Sequence, residues 1–217
     1  MPVVLAQRGR FPDPGQADAN GLVAIGGDFS PERLLAAYRA GIFPWSVKPI
    51  TWWSPDPRGV LELEDFHISQ SLAKFLRKNV YEVTRNRAFS EVMSACAAPD
   101  PKRGGTWITK EFIAAYTRLH ELGHAHSVEC WLDGKLVGGI YGVAVGGLFA
   151  GESMFHRADN ASKVALCHLV EHLRARGFGL FDIQMVTPAT KPFGAREMAR
   201  GDYLERVKRE VGRSVSF

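Results

Sequence analysis

The chain has 217 residues, 46% hydrophobic and 23% charged, with a formal net charge of +4, a composition that excludes a disordered or fibrous protein and suits one large domain or a small and a medium one. No run approaches the roughly 18 apolar residues of a membrane helix, and the N-terminus lacks the basic, apolar and small-residue order of a signal peptide; a cytoplasmic protein is expected. Cys96, Cys130 and Cys167, each set in an apolar segment, are expected to be core residues rather than a disulfide frame or a metal knuckle.

The first sixty or so residues are rich in Pro, Gly and aromatics, as in Phe11-Pro12-Asp13-Pro14 and Trp52-Trp53-Ser54-Pro55-Asp56-Pro57-Arg58. One helix stands out there, capped by Ser30, with Pro31 at its first position, Leu34, Leu35 and Tyr38 inward, and Gly41 as its stop. Residues 1–64 are therefore expected to form a small, loop-rich N-terminal domain. From residue 65 to 217 a larger α+β domain follows. Helices are expected from a Ser69 cap to Lys78, from Asn86 to Ala97, and from a Thr109 cap to Leu122, with Gly123 as a left-handed stop. Ser127 to Leu132 reads as a strand and Asp133-Gly134 as a hairpin turn. Leu136 to Val145 and Leu148 to Phe155 complete an antiparallel meander around Gly146-Gly147. Asn160 then caps a helix with Val164, Leu166, Leu169, Val170 and Leu173 inward; Gly177 ends it, and Leu180 to Val186 returns as a strand. Such a crossover adds a parallel pair, so the sheet is mixed, mostly antiparallel and flanked by helices.

Glu152, in Phe149-Ala150-Gly151-Glu152-Ser153-Met154-Phe155, and Asp182, in Phe181-Asp182-Ile183-Gln184-Met185, sit inside apolar runs. Burying an ionised carboxylate is costly unless it is paired or hydrogen-bonded, and the crossover brings these two onto neighbouring strands. Together they mark a candidate site.

Three other patterns carry less. His120-Glu121-Leu122-Gly123-His124 matches a zinc motif that needs both histidines on one helix face, yet Gly123 sits where the helix pattern stops. Arg174-Ala175-Arg176-Gly177-Phe178-Gly179 resembles a pyrophosphate loop but follows a helix C-terminus, whereas phosphate cradles open a helix; it reads as a helix stop. Gly138-Gly139 and Gly146-Gly147 lack a P-loop lysine and suit tight strand packing. Lys74, Arg77 and Lys78, at i, i+3 and i+4, form a compact basic patch. Trp45, Trp52-Trp53 and Trp107 supply rings of the kind on which nucleobases stack. Basic patch, aromatic platforms and buried carboxylates together suggest an enzyme acting on a nucleic-acid-linked substrate. A zinc hydrolase built on His120, Glu121 and His124, and a non-catalytic RNA-binding module, are the competing readings.

Asn20-Gly21-Leu22 with Gly26-Gly27-Asp28, Gly41-Ile42-Phe43-Pro44-Trp45, the Trp52 to Arg58 segment, Gly105-Thr106-Trp107-Ile108, Leu119 to Ser127, Gly151-Glu152-Ser153-Met154-Phe155 and Phe181-Asp182-Ile183-Gln184-Met185 closely resemble the leucyl/phenylalanyl-tRNA-protein transferase family, in order from about residue 11 to 204. The resemblance implies a small N-terminal domain followed by a GNAT-like acyltransferase domain. It implies transfer of Leu or Phe, less often Met, from leucyl- or phenylalanyl-tRNA to proteins or peptides with N-terminal Arg or Lys, which marks them for degradation, without coenzyme A or metal. Nothing in it demands more than a monomer.

The residues matching Asp182 and Gln184 are the family's proposed catalytic relay, in which Asp182 polarises Gln184 against the attacking amine. Asp182, Gln184 and the substrate's 2'-hydroxyl all stand as candidates for moving the proton. Glu152 and Ser153 are expected at the same site, Glu152 either binding the acceptor or supporting the residues that do. Trp45 and Trp107 match positions that bracket the 3'-terminal adenosine and the aminoacyl group. Ile140, Phe149, Met154, Leu166 and Leu173 map to the apolar side-chain pocket, Ile140 and Leu173 standing where the family carries Met and Phe. Lys74, Arg77 and Lys78 match the cluster that contacts the tRNA body.

Overall fold

The computed structural model describes residues 3–6, 9–99 and 106–217; Gly105 lies outside the described residues. Near the N-terminus the elements are β1 (Val3–Leu5), β2 (Leu22–Gly26), α1 (Pro31–Arg39), β3 (Phe43–Val47) and β4 (Ile50–Trp53). Pro31 opens α1 as expected, and Ala40 and Gly41 close it, Gly41 with a φ of 72° that a residue with Cβ adopts only at a cost. The four strands pair in the order β1-β2-β4-β3 around Trp52, which is fully buried and donates through Nε1 to the Gly26 carbonyl at 2.8 Å. No apolar alternation signals these strands, because Pro, Gly and paired tryptophans interrupt it.

The second sheet is built from β5 (Arg58–Leu61), β6 (Glu82–Arg85), β7 (Ala125–Leu132), β8 (Lys135–Val145), β9 (Leu148–His156), β10 (Leu180–Gln184) and β11 (Arg196–Met198), in the order β11-β5-β10-β9-β8-β7-β6. Asp133 and Gly134 turn β7 into β8 with φ of 50° and 71°, the left-handed pair of a type I′ hairpin. β7, β8 and β9 form the expected antiparallel meander. After the crossover through α5 (Ala161–Arg176), β10 runs parallel to β9, with Asp182 opposite Ala150. The sheet is thus mixed and mostly antiparallel. β5 precedes residue 65 in the chain yet pairs between β10 and β11.

Side chains alternate across β8. Tyr141, Val143 and Val145 face one core, packed with α1, α3 (Phe89–Ala97), α4 (Lys110–Glu121) and the Trp52 cluster of the N-terminal sheet. Ile140, with Val128, Cys130, Phe149 and Phe181, faces α5 and α2 (Gln70–Leu76) on the other side. The N-terminal lobe and the large sheet therefore share a core. All three cysteines are buried and none of them is in a disulfide. Among the described residues no helix is long and apolar enough to cross a membrane.

Several boundaries differ from the sequence expectation. The helix expected from Asn86 starts at Phe89, because residues 82–85 pair with β7 and Asn86 itself is left-handed, φ 59°, with its side-chain oxygen accepting from the Ser127 amide at 3.1 Å. Ser69 caps α2 at the Leu72 amide, but the helix ends at Leu76. Asn160 precedes α5 at φ 60° without a side-chain capping bond. A last helix, α6 (Arg200–Val211), was not expected from the sequence, although Tyr203, Val207 and Val211 form an apolar stripe along it; only Tyr203 and Val207 in it are buried.

Candidate active site

β10 breaks where the site forms. Between Asp182 and Gln184 its register with β5 slips, and Gln184 takes a left-handed φ of 58°. Gly59 of β5 faces the break: a Cβ there would stand 2.5 Å from the Met185 carbonyl carbon, so only glycine lets the chain turn away this closely. The slip sends the two amide groups of Gln184 to different carboxyls. Its backbone N–H donates to Asp182 Oδ1 at 2.9 Å, and its side-chain Nε2 donates to Glu152 Oε1 at 3.0 Å.

Asp182 is 1% exposed and fully engaged. Arg58 holds it in a bidentate pair, Nε to Oδ1 at 2.8 Å and Nη2 to Oδ2 at 2.7 Å, and Tyr203 donates to Oδ2 at 2.9 Å. The Arg58 guanidinium lies between the rings of Phe43 and Tyr203, 4.7 and 4.5 Å from their centroids, and donates to the Gly41 carbonyl at 3.2 Å. Burial opposes its charge, but the Asp182 carboxylate outweighs burial and holds Arg58 above its ordinary value. A pair this deep is stable only because hydrogen bonds satisfy both ends.

Glu152 has a different environment. Tyr38 of α1 donates to Oε1 at 2.8 Å, and the Tyr38 and Tyr116 hydroxyls lie 2.5 Å apart, which leaves Tyr116 as donor to Tyr38. Burial pushes the Glu152 carboxyl up to about 8; the Tyr38 hydrogen bond opposes this and the nearby Asp182 charge adds to it. Burial first, and the Glu152 charge second, hold both phenols well above their ordinary value. Asp182 is anchored by Arg58 and Tyr203, whereas Glu152 meets no cation among the described residues and burial raises it.

Glu152 and Gln184 border a cavity of about 300 Å³ lined by the apolar side chains of Leu61, Ile140, Met154, Leu166 and Phe181, with Ser153 beside them and Met185, Thr187 and Thr190 among its other lining residues. An apolar chamber with a few polar groups converging on it is the usual form of a small-molecule site. The structure thus brings together Ile140, Glu152, Ser153, Met154, Leu166 and Gln184 of the residues expected from the sequence. Asp182 backs the site without lining it. Phe149 and Leu173, expected in the pocket, do not line this cavity and pack in the core beside it; inward-facing residues of a strand and a helix look alike in sequence whether they line a cavity or fill one. Trp45 packs on Phe43 and Trp53, and Trp107 on Phe112, in the cluster on the N-terminal side. Lys74, Arg77 and Lys78 are exposed at α2.

The zinc pattern dissolves in space. Gly123, at φ 79°, follows the end of the helix, and the His120 ring stacks on Phe89 with Nδ1 2.8 Å from the Ala125 carbonyl. Gly177, at φ 80°, ends α5, and Arg174 donates to the Leu63 carbonyl at 2.7 Å, tying α5 to the segment after β5. Sequence reading passed over Arg58, Tyr38, Tyr116 and Tyr203. One signal was present: Arg58 ends the Pro-Asp-Pro-Arg segment and enters an apolar strand, where a buried cation needs a buried anion.

Fold and site define a two-lobed α+β protein whose mixed sheet opens a small, mostly apolar chamber against a buried carboxyl raised to about 8. Residues 60–208 match the family model described as leucyl/phenylalanyl-tRNA protein transferase, and residues 27–56 match the model of its N-terminal domain. A leucyl/phenylalanyl-tRNA--protein transferase of Nitrosomonas europaea is 55% identical over 201 residues, 91% of this chain and 85% of that protein. One from Azoarcus sp. is 54% identical over 94% of this chain and 89% of its own length. Among solved structures, L-PGS from Bacillus licheniformis aligns with 84% of this chain and 70% of its own at 11% identity and a TM-score of 0.47. The chain belongs to the leucyl/phenylalanyl-tRNA protein transferase family.

Proposed function

We propose that the protein is an aminoacyltransferase that moves Leu or Phe, and less often Met, from aminoacyl-tRNA to the α-amine of proteins beginning with Arg or Lys, marking them for degradation in the cytoplasm. Family membership supports the reaction class. The observation that carries the site assignment is the apolar cavity bordered by Glu152 and Gln184, with a carboxyl at about 8.

The donor arrives as an ester already activated for transfer, so the reading calls for neither coenzyme A nor a metal. The leucyl or phenylalanyl side chain enters the chamber between Ile140, Met154 and Leu166, and a side chain branched at Cβ is rejected by shape. The acceptor amine attacks the ester carbonyl carbon. A C–N bond forms, the amine gives up a proton, and the ribose oxygen leaves and takes one. An α-amine titrates near 7.7 to 8.0, close to the Glu152 carboxyl, so the proton passes between them with little penalty. Glu152 accepts it from the amine and returns it to the leaving oxygen.

Gln184, an amide with almost no basicity, orients instead. Its Nε2 is committed to Glu152, which leaves its side-chain oxygen to accept from the amine. Asp182 is a positioning residue: with Arg58 and Tyr203 it fixes the Gln184 backbone. The deciding experiment supplies radiolabelled leucyl-tRNA and a peptide beginning with Arg. Label in peptide bond to the peptide is expected; retention of label on tRNA that still binds means a binding module instead.

A further inference from the structure

A second cavity, of about 240 Å³, opens beside the first, and Ala189 lines both. The partition is the turn from Thr187 to Thr190, braced by its own hydrogen bonds: the Thr187 amide donates to Thr190 Oγ1 at 3.0 Å, and the Thr190 amide donates to the Thr187 carbonyl at 3.1 Å. The second cavity has an apolar floor of Leu72, Phe75, Pro192 and Phe193, but unlike the first it also carries a cation. His67, Ser69, Ser71, Asn160 and Lys163 line it, and no acidic side chain does. α5 begins at its wall with no acid in its first turn, so the positive end of that helix adds to the Lys163 charge. Lys74 of α2, and Arg77 and Lys78 just past its end, continue the helix whose Ser71, Leu72 and Phe75 line the cavity.

We infer that this cavity seats the sugar-phosphate backbone of the tRNA 3' strand just before its terminal nucleotide, with Lys163 as the phosphate-binding cation. The inference rests on the tRNA-dependent reading above and gives it a subsite. A donor strand running from the basic face of α2 crosses the Thr187–Thr190 turn and delivers its terminal ester to Glu152. Anionic backbone needs cations and hydroxyl or amide donors in a partly apolar cleft, and the second cavity offers that set. The reacting cavity has no cation among its lining residues.

The test compares three donors with wild type and Lys163→Glu: leucyl-tRNA, a leucylated trinucleotide ending in CCA, and leucyl-adenosine, which has no phosphate. Lys163 is exposed, so reversal leaves the fold intact, as a melting curve verifies. The expected result is a KM raised about fivefold for leucyl-tRNA and for the trinucleotide, with leucyl-adenosine and kcat unchanged. Equal effects on all three donors, or no effect on the trinucleotide, overturn the inference. If wild type transfers from none of the donors, the transferase reading itself fails, which separates the two outcomes.

Discussion

The Gln184 side-chain amide is hydrogen-bonded to Glu152, 3.0 Å from Nε2 to Oε1, and not to Asp182 two residues away on the same strand. Asp182 meets only the Gln184 backbone, at 2.9 Å. Roles that local spacing would give to one carboxyl are therefore divided between two. Asp182, locked against Arg58, sets the position of the bulge. Glu152, whose carboxyl lies at about 8, is the proton acceptor in the proposed reaction.

Acting as a proton acceptor, Glu152 must be ionised, so transfer should increase as pH rises through about 8. The acceptor amine must also be neutral. Below both values, log kcat/KM against pH should climb with a slope near two for wild type and near one for Glu152→Gln, where only the amine limb remains. The variant should also be about 100-fold slower at its plateau. Its melting temperature at neutral pH should hardly change, because Gln imitates the protonated carboxyl present there. A slope of two retained in the variant would assign the second proton elsewhere.

Arg58→Met should destabilise the protein by about 3 to 5 kcal/mol, since it strands a buried carboxylate, and denaturant titration measures it. The double variant Arg58→Met with Asp182→Leu should recover most of that loss, because apolar packing often replaces a buried pair without cost. Transfer should stay low in the double variant, which has lost the acceptor for the Gln184 amide. Wild-type turnover in a stably folded double variant would remove Asp182 from the mechanism.

Ile140 lines the cavity and is 6% exposed. Ile140→Ala should enlarge the chamber and raise the ratio of phenylalanyl to leucyl kcat/KM about tenfold, at a stability cost of about 2 to 4 kcal/mol. Phe149→Leu, in the core beyond the chamber, should change stability more than that ratio. Competition between the two charged tRNAs for one peptide reads both.

Lys74, Arg77 and Lys78 are exposed, and changing all three to Ala should weaken tRNA binding while leaving the melting temperature in place. The slope of log affinity against log salt should become shallower by roughly 2. Binding that is weaker by the same factor at every salt concentration would mean a distorted α2 rather than lost phosphate contacts.

Much of this architecture was legible because it depends on neighbours in sequence. Asp133-Gly134, Gly177 and the Ser69 and Thr109 caps each act within one turn of chain, and they set the ends of β7, β8, α5, α2 and α4. Period-two alternation in β8 and β9, followed by a helix and another strand, required the parallel return that placed Asp182 beside the strand of Glu152. The N-terminal strands were hidden for the opposite reason: Trp52 is buried by loops and rings from several segments, and no local period records that.

By itself, then, the sequence determined the meander, the crossover and the placing of two carboxyls and Gln184 on neighbouring strands. Tertiary structure alone decided how the work is divided among them. Arg58 reaches Asp182 across 124 residues, and Tyr38 reaches Glu152 across 114; one left-handed residue, tolerated only because Gly59 opposite has no side chain, turns Gln184 from the first carboxyl to the second. Periodicity encodes which face a residue takes, but the partner that meets it there is chosen by strand pairing and by what packs against the break, and those are properties of the whole chain.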